Sequence, residues 1–322
     1  MATTTRLTGA EVRTVVEAAH RAPSVLNTQP WRWAEVEEGL ELRADSVRVL
    51  RVADPLGRFL VVSCGASLLN ARLALRHLSR EPVVRLGPDP DEPRLLARIR
   101  VVPGQPTTQE EDWLYSAIPH RHTNRGPFHE RRLGAHLLRR LIDAAAAEGA
   151  VLTPLDGTQA ARVLEIADEA AAQIAHDERR TTELGTWVRP ERSPDGIPVS
   201  ALGPEPAEGG QAVRDFDPEH RLPPRGTAPY EKEPTVAVLS TYGDSRTDWL
   251  RAGAALQRVL LVATLEDVQA SFRNEPLEIL EHRWRVRDAA TGVGHPQMVL
   301  RLGYGAPVGP SPRRPVGEVL DT

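Results

Sequence analysis

Apolar and polar positions along the chain alternate between two periods. Thr8-Gly9-Ala10-Glu11 has the form of a capping box, and Val12, Val15, Val16 and Ala19 follow at helical spacing. Pro23 disfavours helical geometry at Ala22, so this first helix should stop near Arg21. An irregular polar stretch follows, and then residues 31–36 alternate as a strand does. Residues 47–52 are a second expected strand, 67–78 a largely buried helix, and 82–86 and 98–102 two further strands.

After Pro103-Gly104-Gln105-Pro106 the pattern starts again. A helix is expected over 110–118, then a polar loop dense in arginine and histidine over 120–128. Leu133, Leu137, Leu138, Leu141 and Ile142 mark a helix ending near Gly149, followed by a strand at 151–155 and a long helix over 158–182. From Thr186 to Pro234 there are ten prolines and little periodicity, a length that fits either a linker or a lid; Trp187, Phe216 and Tyr230 can anchor it, which favours the lid. A strand at 235–240, a helix from Asp244 or Ser245 to Ala263 and a strand at 297–302 complete the pattern. Helices and strands mix without strict βαβ alternation, so the expected class is α+β.

Composition narrows the chemistry. Lysine and arginine total 40, and Lys232 is the only lysine. That leaves no structured lysine for Schiff-base catalysis and no Gly-Lys-Ser/Thr phosphate loop, so a side-chain cation that holds an anion is an arginine. A net charge of −4 gives no reason to expect nucleic acid. One cysteine, Cys64, lies in an apolar run and reads as a buried inert thiol. No secretory signal is visible at the start, and the uncharged run 59–71 is shorter than the ~20 residues of a membrane span, so the expectation is a cytoplasmic protein without a membrane partner.

Gly303-Tyr304-Gly305 and Gly292-Val293-Gly294 lack the third glycine and the strand–helix setting of a dinucleotide loop. His120, His122 and His129 lack the spacing of metal ligands, and no metal is expected. Two loops stand out. In Pro23-Ser24-Val25-Leu26-Asn27-Thr28-Gln29-Pro30-Trp31, short hydrogen-bonding side chains alternate with prolines that fix the backbone. In Arg121-His122-Thr123-Asn124-Arg125, arginines flank a hydroxyl, a set suited to a phosphate; each loop can equally be a solvated turn.

The first loop resembles the Pro-Ser-x-x-Asn-x-Gln-Pro-Trp signature of the FMN-dependent nitroreductase superfamily. The second resembles its Arg-x-Ser-x-Arg/Lys phosphate segment, with Thr123 for serine, and Leu302-Gly303-Tyr304-Gly305 with Arg313-Arg314 resembles its C-terminal turn and basic phosphate contact. Motif order, the long lid and the chain length resemble the Acg-type branch. The order differs from that of an ordinary nitroreductase subunit, which begins with the phosphate segment. Here the first half has only the Pro-Ser loop and the second only the arginine segment.

The resemblance therefore implies a nitroreductase-like fold of two fused halves, 1–108 and 109–322, a monomeric pseudo-dimer with a lid over 184–234 and one FMN per chain. It implies that Arg121, His122, Thr123 and Arg125 surround the FMN phosphate, assisted by Arg313 or Arg314. It further implies that Ser24 and Asn27, with backbone groups of Pro23 and Gln29, contact the flavin from the opposite half. No catalytic side chain is implied, because the flavin itself passes electrons from NAD(P)H to nitro or quinone-like acceptors. A lid closed over the flavin would instead make the chain an FMN-sequestering protein with little turnover.

Overall fold

The computed structural model describes residues 5–207, 213–219 and 221–321. Its first helix, α1 (Gly9–His20), starts on the expected box: the Thr8 hydroxyl accepts from the Glu11 N–H at 3.2 Å, and the Glu11 carboxylate accepts from the Thr8 N–H at 2.8 Å. The first half continues with β1 (Trp31–Val36), β2 (Gly39–Ala44), α2 (Arg58–His77), β3 (Arg80–Leu86) and β4 (Leu95–Pro103). The second half holds α3 (Gln109–Ala117), α4 (Ala135–Ala146), β5 (Val151–Pro154), α5 (Gly157–Ala175) and α6 (Glu178–Trp187). Four two-residue strands follow, β6 (Val188–Arg189) beside β7 (Ile197–Pro198) and β8 (Glu205–Pro206) beside β9 (Thr227–Ala228). The chain ends with β10 (Thr235–Thr241), α7 (Arg246–Leu265), β11 (Gln269–Phe272), α8 (Leu280–Ala290), β12 (His295–Gly303) and β13 (Leu320–Asp321).

The two halves repeat one topology. The first sheet runs β13-β1-β2-β4-β3 and the second β11-β12-β10-β5. Reversing the second and setting β13 aside gives β1-β2-β4-β3 against β5-β10-β12-β11, with one 20-residue helix after the second strand of each series. Those helices, α2 and α7, cross back to back at Gly65 and Gly253. Each glycine is the eighth residue of its helix, counting from Arg58 and from Arg246. A Cβ on Gly65 would lie 2.1 Å from the Leu250 carbonyl oxygen, and one on Gly253 would lie 1.9 Å from that of Val62. Leu250 and Val62 are each fifth in their helices, so an approximate two-fold axis passes between the glycines, and only glycine permits the approach. β13 then lies parallel to β1, with Trp33 opposite Leu320, so the end of the second half completes the sheet of the first.

Some elements differ from expectation. Residues 47–52 form no strand; Asp45 caps a short 3-10 turn at Ser46–Arg48, and Val47 is 90% exposed. The second strand is β2, whose Glu41 hid its alternation: that carboxylate is buried because Arg43 and Arg98 both pair with it, at 2.7 and 2.6 Å. The helix expected over 158–182 breaks at His176, where Asp177 accepts from the N–H groups of Arg179 and Arg180 and starts α6. α2 is long and apolar enough by length and composition to cross a membrane, yet 94% of that window is buried in the protein.

The segment between α6 and β10 packs on the body through its own apolar cluster, in which Ile197, Leu202 and Phe216 meet Leu26, Leu50 and Leu184. Its far end is held by Glu231, whose two oxygens each accept from Arg301 at 2.5 Å; the Arg301 guanidinium lies 3.8 Å from the Phe128 ring centroid.

Candidate functional site

A cleft lined by residues of both halves, open to solvent on one side, spans about 1040 Å³ of empty space including its mouth. It is lined by Pro23 to Asn27 of the first loop, by Arg121, Thr123 and Arg125 of the arginine segment, and by Arg313 of the tail. Phe59, Val62, Leu256 and Met298 supply apolar surface, and Ile197, Val213, Arg214 and Phe216 form the part contributed by the long segment.

The first loop has an unusual backbone. Leu26, Asn27 and Gln29 have φ of 46°, 55° and 50°, a left-handed region that costs non-glycine residues about 1 kcal/mol or more each. Side chains hold it there. The Ser24 hydroxyl accepts from the Gln29 N–H at 2.9 Å, and the Ser63 hydroxyl accepts from the Val25 N–H at 3.0 Å. Asn27 donates to the Gly196 carbonyl at 2.8 Å and accepts from Arg313 at 3.2 Å, which joins the loop to both the long segment and the C-terminal tail. Gln29 points away from the cavity: its amide donates to the Pro194 carbonyl at 3.0 Å and its oxygen accepts from the Arg314 N–H at 2.9 Å.

The arginine segment runs beside β11, with Thr123 in a parallel bridge to Ala270 and the Asn124 N–H bonded to the Ala270 carbonyl at 2.9 Å. Arg121 is 5% exposed, and its Nε is buried without a hydrogen-bond partner. Burial pushes its guanidinium down from 12.5 to about 10, and no carboxylate opposes the shift. Arg125 is likewise pushed down to about 10, first by burial and then by Arg214; its Nη1 donates to the Ala201 carbonyl at 3.0 Å. Arg313 falls to about 9, first by burial and then by Arg121 and Arg21, while its guanidinium donates to the carbonyls of His20, Ala22 and Pro312.

Arginines outside this set divide: Arg58, buried and off this cavity, is also pushed down, to about 9, and spends its donors on the Gln297 and Leu277 carbonyls, whereas others have a carboxylate partner. Arg301 has Glu231, Arg283 has Asp244 and Arg214 has Glu278. Burying a cation without a counter-charge is costly, so buried Arg121 with half-buried Arg125 and Arg313, all lining one cavity without an ion-pair partner, mark a candidate anion site. Arg314, expected beside Arg313, is not part of it. Its guanidinium lies 3.6 Å from Asp45 and 3.2 Å from Glu318, on the other side of the tail. His122 is half-buried and off the cavity wall; burial, then Arg121 and Arg313, push it down to about 4, which leaves the ring neutral near pH 7. Asn70 serves the core, donating to the Ala18 carbonyl and accepting from Gln257. Of the residues contributed by the long segment, sequence reasoning singled out only Phe216, as an anchor. Arg214 and the apolar wall residues are spaced like any core residues and carry no local signal.

Repeated halves around α2 and α7, with an arginine-lined cavity between them, define a two-lobed α+β fold. No protein-family model matches the chain. The chain is 34% identical over 315 residues to "Putative NAD(P)H nitroreductase Rv3131" of Mycobacterium tuberculosis, covering 96% of this chain and 91% of that one. It is 30% identical over 333 residues to "Putative NAD(P)H nitroreductase acg" of the same organism, covering 98% and 97% respectively. Among solved structures, the FMN-dependent nitroreductase NfnB from Mycobacterium smegmatis in complex with NADPH is 14% identical with a TM-score of 0.41, over 66% of this chain and 98% of that one. The chain belongs to the nitroreductase superfamily, in the Acg-type branch.

Proposed function

We propose that this cavity holds one FMN and that the chain is an NAD(P)H-dependent oxidoreductase acting on nitro or quinone-like acceptors. The observation that carries this reading is the set of three cavity arginines, buried Arg121 and half-buried Arg125 and Arg313, that have no carboxylate partner. A phosphate fits that set: Arg121 has an unused donor, Arg313 is its cationic neighbour and the Thr123 hydroxyl lies on the same wall. Phe59, Val62, Leu256 and Met298 offer the apolar surface a flat ring system requires. When bound, the flavin supplies the electron-transfer chemistry between nicotinamide and acceptor. The chain itself positions: the Pro23–Asn27 wall is braced by Ser24 and Ser63, and residues 184–234 act as a lid that excludes water.

A second reading is favoured by one feature. The long segment is bonded directly to site residues, through Gly196 to Asn27 and through Ala201 to Arg125, so a lid that stays closed would make the chain an FMN-sequestering protein. The test is the visible spectrum of the purified protein after loading with FMN. The expected result is one flavin per chain, and a ratio near two or near zero contradicts the reading. Anaerobic NADPH or NADH should bleach the bound flavin within seconds; flavin that stays oxidised selects sequestration.

A further inference from the structure

We propose that the groove between α5, α6 and the long segment binds an organic cation, a primary ammonium group on a short aliphatic stem. The groove spans about 570 Å³ of empty space including its mouth, and of its lining residues only Arg214 is shared with the arginine-lined cleft. Ala171, Ala172 and Ala175 of α5 and Leu184 of α6 form its apolar side, and the short alanine side chains leave room for a stem beside the helix. Glu275, on the 3-10 turn Glu275–Glu278 after β11, also lines the groove and is 1% exposed. Its Oε1 accepts from Arg273 at 3.1 Å, while its Oε2 is buried without a hydrogen-bond partner among the described residues. A buried carboxylate oxygen without a donor is costly, and the groove that Glu275 lines is the space that can admit one.

The surrounding charges set the sign of the ligand. Arg273 is shared by two carboxylates, Glu275 and, at 2.8 Å, Asp168. Arg214 is taken by Glu278, and Arg180 lies between Glu278 at 3.7 Å and Asp177 at 3.4 Å. Asp215, exposed and also lining the groove, has no ion-pair partner among the described residues. Each arginine of this network is thus engaged with a carboxylate, and the groove keeps a negative excess. The last turn of α5 lines it too, and a helix C-terminus carries partial negative charge. A metal ion fits poorly, because no group of three or more metal-ligating side chains occurs among the described residues. An ammonium group supplies both the N–H donors and the missing charge, and its stem is buried against the alanines. The site is independent of the cofactor reading, since neither Glu275 nor these alanines line the cleft.

The test is a ligand-observed NMR titration of the full chain with n-butylammonium and with n-butanol, an uncharged molecule of the same length. Butylammonium is expected to bind at least ~10-fold more tightly at low salt, with the advantage shrinking as salt is added. Ala172→Leu fills the groove without altering its charge and is expected to abolish binding of both molecules. Glu275→Gln keeps an oxygen for Arg273 and removes the charge; it is expected to bind butylammonium no better than butanol. Asp215→Asn, at an exposed position, is expected to lose part of the preference and serves where Glu275→Gln does not fold. Equal binding of the two probes by the wild type, or binding of neither, overturns the proposal. So does a full preference that survives in Ala172→Leu, in folded Glu275→Gln or in Asp215→Asn. Magnesium chloride that displaces butylammonium more strongly than sodium chloride of the same ionic strength would make this a metal site and overturns the organic ligand.

Discussion

Replacing Arg121 by methionine should make the flavin-free protein more stable and FMN binding weaker. The guanidinium lies in the folded chain at about 10 against an ordinary 12.5, with burial as the cause. The folded value is below the unfolded one, so the unfolded chain holds this proton more tightly and the fold is disfavoured at every pH below about 10. At ~1.4 kcal/mol per tenfold difference, that is roughly 3 kcal/mol. Methionine fills similar space without charge, and uncharged replacements of buried ions commonly stabilise by about 1–4 kcal/mol. The lost aliphatic packing offsets part of the gain, leaving about 1–2 kcal/mol and a rise of about 1.5–3 °C in the melting temperature of the stripped protein. In the FMN-bound state the same arginine supplies hydrogen bonds from a charged donor, about 1.5–3 kcal/mol, so FMN should bind roughly 10–150-fold more weakly. Differential scanning calorimetry of flavin-free protein and fluorescence titration with FMN measure the two effects. A stripped variant that melts lower than wild type, or an unchanged FMN affinity, would refute the assignment of Arg121 to an anion site.

Three further predictions concern the frame around the site. Gly65→Ala or Gly253→Ala would place a Cβ within 2.1 or 1.9 Å of a backbone oxygen, forcing α2 and α7 apart; each should cost about 3 kcal/mol or more in urea unfolding, and a loss under 1 kcal/mol would argue against the tight crossing. Glu231→Gln removes the charge that balances fully buried Arg301 and should cost about 3–5 kcal/mol, read as a lower melting temperature; an unchanged one would show that the far end of the long segment is not held by this pair.

The third concerns pH. His20, at about 4, accepts the Trp31 indole N–H on Nδ1 at 2.9 Å and faces the Arg314 carbonyl with Nε2 at 2.8 Å, so its stabilisation is complete above pH 6.5 and lost as pH falls toward 4. Asp54, raised to about 6 by burial, acts oppositely, stabilising the fold as pH falls from 6 to 3.8. Asp54→Asn should therefore lose urea stability more steeply than wild type between pH 6.5 and 4; parallel curves would contradict the opposed pair.

Short-range features were legible in the sequence because neighbouring residues create them. The box at Thr8 and Glu11 formed as expected, and the stop before Pro23 came from a local steric clash. The pattern repeats after residue 103, and the strands before and after it share one order. The two loops stood out because each packs its polar groups into a few consecutive positions.

Tertiary structure decided the rest. Nothing near residues 23–27 in the sequence indicates that they line one cavity with Arg121, Thr123 and Arg125; the α2–α7 crossing at Gly65 and Gly253 brings the halves together. β2 was missed because its buried Glu41 is matched by Arg98, 57 residues away. The adjacent Arg313 and Arg314 look equivalent in the sequence. In the fold, Arg314 meets Asp45 and Glu318, while Arg313 turns to the carbonyls of His20 and Ala22 and keeps its charge unbalanced. Local backbone preferences settle which element forms, but whether a buried charge is balanced depends on carboxylates brought close by the fold, which no local pattern encodes.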